Sequence, residues 1–209
     1  MLLSDEHKFI FVHVSKSAGT SIYRTLEPYA NVIDKRLANK LLSKSGIKRD
    51  YHTRYFARHT HISEAMKYIP KQDFEQFFKF GFVRNPYDWI VSMYSFLSQT
   101  TSHHRQKQIA KMSFSEYLDF EIKRNKRHQH LFLCDSKGDL AVDFVGRFEQ
   151  LTADFEQVTK RLQLDLTLPH VNASRHRDYR DYYTDEIYDK VTKHWQRDIQ
   201  LFGYQFESP

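Results

Sequence analysis

The stretch Phe9–Arg24 (FIFVHVSKSAGTSIYR) constrains this chain more than any other. Phe9, Ile10, Phe11, Val12 and Val14 supply the β-branched and aromatic bulk of a buried strand. Ser15–Ser21 is small and polar, with Gly19 able to take backbone angles that other residues resist. Ile22, Tyr23 and Leu26 then open the apolar stripe of a helix. A turn of this kind gathers backbone N–H groups that have no partner inside the helix, with the positive end of the helix dipole behind them. Lys16 adds a mobile full charge, and Thr20 and Ser21 add hydroxyl donors. The stretch suits a phosphate or sulfate group, although a lysine on an ordinary strand-to-helix turn can also face solvent. It is not the nucleoside-triphosphate signature GxxxxGK(S/T), because Lys16 precedes Gly19 and no glycine fills the first position.

Composition sets the frame for that loop. The chain has 209 residues, enough for one substantial core, and is expected to form a single domain over residues 1–209. Its 17 Phe and 13 Tyr argue against global disorder. The single cysteine, Cys134, excludes an internal disulfide and a cysteine-rich zinc site. No apolar run approaches the length of a membrane span, and the first strand is expected from about Lys8 with no stem or anchor before it. These features predict a cytoplasmic protein. The formal charge of +6 suits an anionic cofactor, an acidic acceptor or nucleic acid. It rises mildly over Lys123–His130 and Arg175–Arg180. Zinc-finger spacing, an RNA-binding aromatic signature and internal repeats are all absent from the sequence.

Strand-loop-helix occurs twice. Lys79–Val83 reads as a second buried strand, Arg84–Asp88 as a turn, and Trp89, Ile90, Met93, Tyr94 and Leu97 as the stripe of a helix started by Pro86. Both strands end on a cationic residue, where an open, mostly parallel sheet places its ligand. Between them, Leu37, Leu41 and Leu42 suggest a short helix, and Lys48–Arg58 a basic, aromatic loop. Short helical turns follow near Ser63–Met66 and Asp73–Phe78. Further on, Gln99–Met112 reads as polar and mobile. Ser113 with Glu116 forms a capping box, and Leu131–Asp135 reads as a short strand or irregular core segment. Val142–Phe148 gives another strand and Asp154–Leu162 a helix. A polar loop runs to Tyr179, and one helix runs from Thr184 to Gly203.

The order Lys16-Ser17-Ala18-Gly19-Thr20-Ser21 resembles the 5′-phosphosulfate loop of sulfotransferases that use 3′-phosphoadenosine 5′-phosphosulfate (PAPS). Phe82–Asp88 followed by Val91-Ser92-Met93-Tyr94 resembles their 3′-phosphate segment, with Arg84 and Ser92 at the family's separation. Val145–Leu151 with Asp154-Phe155 resembles the GRFE-x-L-x-x-DF segment of the carbohydrate sulfotransferase branch. Pro169–Ser174, Tyr182–Thr184 and Asp198–Tyr204 fit the same branch. Most of the chain is covered. Ser15 departs from the proline of many members, which affects loop stiffness rather than a contact.

This resemblance implies an α/β protein with the P-loop-like sulfotransferase fold, a central mostly parallel sheet flanked by helices. It implies PAPS as donor, 3′-phosphoadenosine 5′-phosphate as product, and a hydroxyl acceptor on a glycan or small molecule, anionic in some cases. Lys16 would neutralise the leaving phosphate, and Ser17, Ala18, Gly19, Thr20 and Ser21 would cradle it. Arg84 and Ser92 would bind the 3′-phosphate, unless Arg84 is an ion pair with Asp88. Asn172, Ser174 and Arg175 would close over the nucleotide. The base that takes the acceptor's proton is placed at His59, with His61, Glu64 and His13 as alternatives. No metal and no nucleic-acid partner are expected. A nucleotide kinase would need the missing GK(S/T) loop and acidic magnesium ligands. A nucleic-acid-binding module has only the charge and the Lys/Arg/Tyr-rich middle in its favour.

Overall fold

An apolar run without polar alternation must be covered on both faces, and Phe9, Ile10, Phe11 and Val12 are all fully buried. The computed structural model describes residues 1–47, 50–169 and 177–207. It forms β1 (Leu2–Ser4), β2 (Phe9–Val12), α1 (Gly19–Leu26), α2 (Leu37–Lys44), α3 (Ile62–Ala65), α4 (Lys71–Gln76) and β3 (Phe78–Val83). The chain continues through α5 (Pro86–Gln99), α6 (Gln106–Ile109), α7 (Phe114–Arg124), α8 (His130–Leu133) and β4 (Phe144–Arg147). It ends with α9 (Leu151–Leu162), α10 (Asp185–His194) and α11 (Gln196–Phe202). Two compact units result. One holds Met1–Val83 with the segment beginning at His130; the other holds Arg84–Gln129 with the carboxyl-terminal segment.

In the first unit the strands form one sheet in the order β1-β2-β3-β4. The expected parallel pairing of the two loop-bearing strands is present, with Phe11 opposite Phe80, and β4 adds in parallel with Gly146 opposite Phe82. The chain therefore leaves β2, β3 and β4 at the same edge. Phe80 and Phe82 face α1 and α9, where Ile22, Leu26, Leu151, Phe155, Val158 and Leu162 complete the core. Gly81 faces the other way, as strand alternation requires, and a Cβ there would lie 2.5 Å from Leu133 Cδ2 of α8.

Several expectations need correction. An antiparallel strand, β1, precedes the expected first strand and pairs Leu3 with Ile10. Leu131–Asp135 is not a strand. It is largely α8, in which Cys134 N–H donates to His130 O at 2.9 Å, and only Cys134 bridges to Leu140. A four-residue apolar run has no length with which to choose between the two periods. Helix α2 exists, but it is turned over, with Leu37 71% and Leu41 57% exposed. Its buried face is polar because Asn39 Nδ2 donates to Asp34 O at 2.7 Å and Ser43 Oγ accepts from Tyr55 N–H at 3.0 Å. Hydrogen bonds to the loop outweigh leucine burial there.

The second unit packs α5, α7 and α10 around Trp89, Ile90, Tyr117, Leu118, Val191 and Trp195. The capping box is present, with Ser113 N–H on Glu116 Oε2 at 2.8 Å and Glu116 N–H on Ser113 Oγ at 3.3 Å. Thr184 caps α10 as expected. The single tail helix is instead broken between α10 and α11 at Trp195, whose buried indole N–H donates to Arg127 O at 2.7 Å. The stretch read as mobile contains α6, anchored by buried Ile109.

Gly146 generates a test of the sheet packing. A Cβ there would lie 2.4, 2.6 and 2.7 Å from Cε1, Cδ1 and Cζ of the buried Phe82 ring. Gly146→Ala should lower the free energy of unfolding by about 1–3 kcal/mol. Urea titration measures it, and adding Phe82→Leu should recover part of the loss. A variant as stable as the parent would refute the packing argument.

Candidate active site

Strand β2 ends at Val12, and His13 and Val14 continue into the first loop buried. Lys16 and Ala18 both hold left-handed backbone conformations, at φ 64° and 59°. Non-glycine residues adopt that region only when the surroundings enforce it. Part of the enforcement is Ser17, fully buried, whose Oγ donates to Val14 O at 3.0 Å. Ala18 is the N-cap of α1 and offers no side-chain cap, while its carbonyl accepts Ser21 N–H at 3.0 Å and Ile22 N–H at 3.3 Å. Ser21 thus contributes its hydroxyl rather than its N–H to any ligand. Gly19 and Thr20 keep the first-turn N–H groups that helix geometry leaves unpaired within the helix. Left-handed residues in a turn swing such groups toward one side and form an anion cradle.

Gly19 is required for space rather than for an unusual angle. A Cβ would lie 2.1 Å from His13 Cδ2 and 2.4 Å from His13 Nε2, so the imidazole lies against the loop backbone. His13 is 2% exposed, and its Nδ1 is buried without a hydrogen bond. Burial, then the neighbouring His59, the terminal amine and Arg58, lower its pKa from 6.5 to about 2, so the ring is neutral. Among the base candidates it is the packed structural one.

His59 stands beside it. The two rings are 4.5 Å apart, and His59 Nδ1 lies 3.0 Å from His13 O. A carbonyl only accepts, so Nδ1 carries the proton and Nε2 keeps the lone pair. Burial lowers the His59 pKa against the opposing effect of that hydrogen bond, leaving a neutral ring at pH 7. His61 precedes α3 and packs edge-on against Phe132, at 4.6 Å. Glu64 is held by Lys67 at 2.6 Å. Of the candidates other than His13, His59 is thus the one tied to the first loop, through His13 and Gly19.

A cavity of about 250 Å³ lies in the same unit, walled by Tyr23, Glu27, Lys35, Arg54, Tyr55 and Phe56. The Tyr23 ring is 6.2 Å from His13 and carries Arg58 over its face at 4.6 Å. Arg54 is held in the wall: it stacks 3.3 Å over Tyr68 and donates to Ser43 O.

In the second unit, Arg84 is buried and its guanidinium pairs with Asp88, Nε and Nη2 each 2.6 Å from Oδ2. The ion pair considered from the sequence is therefore present. It lays the guanidinium on the face of α5 that carries Ser92, since Asp88 and Ser92 are four residues apart. Ser92 is buried as well. Asn85 caps α5, accepting Tyr87 N–H at 3.1 Å and donating to Gln205 O at 3.0 Å. Sequence reasoning missed Gln129, fully buried, which accepts Arg84 N–H at 2.9 Å and donates to Arg84 O at 2.7 Å. Nothing local marks a glutamine 45 residues away. Asn172, Ser174 and Arg175 lie outside the described residues.

A sequence model described as the Sulfotransferase family matches residues 1–205. The crystal structure of mouse sulfotransferase SULT7A1 complexed with PAP superposes with a TM-score of 0.58 at 16% identity, over 95% of this chain and 86% of that one. It shares the α/β fold, a mostly parallel sheet flanked by helices. No curated protein sequence matches.

The buried His13 makes stability depend on pH. Its folded pKa, about 2, lies below the unfolded value of 6.5. The unfolded chain therefore binds the extra proton between those values, so stability is complete above about pH 6.5 and falls as pH drops. The slope approaches about 1.4 kcal/mol per pH unit. Urea unfolding at pH 7 and pH 5 should show this loss, and His13→Gln should flatten it. An identical slope in both proteins would refute a neutral buried ring.

Proposed function

The chain belongs to the sulfotransferase family, and from that premise we propose that it moves a sulfuryl group from PAPS to an acceptor hydroxyl. The observation that carries the proposal is the first loop, left-handed at Lys16 and Ala18 and running into an uncapped helix, with neutral His59 held beside it. The residues fit the donor's anionic groups. Gly19 and Thr20 offer N–H groups, Thr20 and Ser21 hydroxyls, and Lys16 a full charge; Ser17 and Ala18 set the loop's course. Arg84 and Ser92 are the residues we assign to the 3′-phosphate. Asp88 would hold the guanidinium until a dianion competes for it.

PAPS, when bound, supplies an activated sulfur whose bond to the 5′-phosphate oxygen breaks as the acceptor oxygen attaches. Lys16 neutralises the charge that collects on the departing phosphate. His59 Nε2 takes the acceptor's proton, and the Nδ1–H bond to His13 O fixes the ring and its tautomer while it does so. The products are a sulfate ester and 3′-phosphoadenosine 5′-phosphate.

For the acceptor we propose a carbohydrate hydroxyl. Its support is the Val145–Leu151 resemblance and the cavity walled by Tyr23, Tyr55 and Phe56, whose faces suit the C–H face of a sugar ring. The whole chain is read as one sulfotransferase domain, working without metal in the cytoplasm. A lone, buried Cys134 is in keeping with that compartment. Among the described residues, no helix is long and apolar enough to cross a membrane.

Transfer of labelled sulfate from PAPS to a panel of saccharides tests the reading, run with and without excess chelator. Lys16→Ala and Arg84→Ala should each lose about 2 kcal/mol or more of donor or transition-state interaction. His59→Ala should lower turnover about 10²–10⁴-fold while donor affinity stays near normal. Unchanged turnover in all three variants would refute the site. Phosphoryl transfer from ATP that chelator abolishes would replace the function with a kinase.

A further inference from the structure

Two stretches of the sequence find no place in that chemistry, the histidine-rich segment after Gln99 and the basic rise from Lys123. Within the second unit, the fold brings them together around one carboxylate. Glu121 of α7 is buried, its side chain 0% exposed. Arg124 Nη1 lies 2.8 and 3.0 Å from its two oxygens, Arg127 Nε 3.3 Å from Oε2, and Arg105 Nη1 3.9 Å from Oε1. Guanidinium groups stay charged, so three cations face one anion. The carboxyl end of α7 offsets about half a charge more, and a clear positive excess is left.

Hydrogen bonding points the same way. Arg105 Nη1 is buried with no hydrogen-bond acceptor, and so is the hydroxyl of Tyr117, which is itself fully buried one turn before Glu121. Burial pushes the Tyr117 phenol up, so it remains a donor. Burial and the charges of Arg124 and Arg127 lower the Arg105 pKa, the mark of cations crowded beyond what Glu121 neutralises. A neutral acceptor would answer the donors and leave the charge. An oxyanion answers both.

The site is held in shape. Trp195 fixes the Arg127 carbonyl, Asn125 turns the chain at φ 44°, and Arg124 lies 5.5 Å over Phe120. The arginine side chains are 20–25% exposed, so an ion can reach them from solvent. We propose that Arg105, Arg124, Arg127 and Tyr117 form a binding site for a tetrahedral oxyanion, a phosphate or sulfate that is either free or borne on an ester. Glu121 spaces the guanidinium groups and limits the site to one such ion.

The test follows the unfolding midpoint of the full chain in inorganic phosphate against chloride at constant ionic strength, with phenyl phosphate as the ester. Phosphate should raise the midpoint in the parent and still raise it in Lys16→Ala, which removes the cation of the proposed donor loop. Arg105→Gln should weaken the apparent affinity about tenfold, and the conservative Tyr117→Phe should weaken it measurably. Arg105 lies in a loop before a short helix, so its replacement leaves the core intact. Phenyl phosphate acting as strongly as phosphate assigns the site to esters; a much weaker effect assigns it to the free ion. A phosphate increment unchanged in both Arg105→Gln and Tyr117→Phe, or lost in Lys16→Ala alone, would overturn the proposal without touching the sulfotransferase reading.

Discussion

The contact of the His13 imidazole with the backbone of Gly19 governs the first loop and what surrounds it in the first unit. The ring fills the space in which a residue with a side chain would stand, and so fixes the separation between the end of β2 and the start of α1. Burial keeps it uncharged, and an uncharged ring can remain there without a counter-ion. Its own carbonyl is then the acceptor that orients His59. One buried residue thus spaces the loop, demands the glycine and sets the tautomer of the neighbouring His59.

Charge is treated in the opposite way in the second unit. Arg84 with Asp88, and buried Glu121 with three partly exposed arginines, are ionic groups in which both signs are retained. Desolvation makes such pairs poor sources of stability compared with apolar packing. Their retention is in keeping with the anionic ligands proposed for both clusters. A guanidinium already stripped of water and aimed by a carboxylate needs little reorganisation to receive a phosphate.

How much of this was legible in the sequence follows from the range of the forces involved. β2, β3, α5, α9, the Ser113–Glu116 capping box and the Thr184 cap depend on residues within a few positions of one another, and periodicity reveals them. The parallel pairing of β2 with β3 follows from the repeated strand-loop-helix. Gly19 was recognisable as special, but for the wrong reason, because its constraint is a ring six residues away rather than its own φ. Gln129, which clamps both backbone groups of Arg84, and the polar inner face of α2 answer to distant partners and left no local trace. The short run at α8 failed because four residues do not distinguish a period of 2 from one of 3.6.

That failure bears on His59 and His61. As a helix, α8 places Phe132 against both histidines, 4.6 Å from His61 and 6.4 Å from His59. A ring of this size keeps the two imidazoles in separate surroundings and contributes to the burial that lowers both pKa values. Lowering a histidine's pKa has two opposed effects. More of it is unprotonated at neutral pH, but each molecule is a weaker proton acceptor. The hydrogen bond from His59 Nδ1 to the His13 carbonyl acts against the second effect, because a charged ring donates to a carbonyl more strongly than a neutral one does. His59 is therefore neutral by burial, and in the role of base proposed for it, its cation would be supported by the carbonyl of a residue that is itself uncharged.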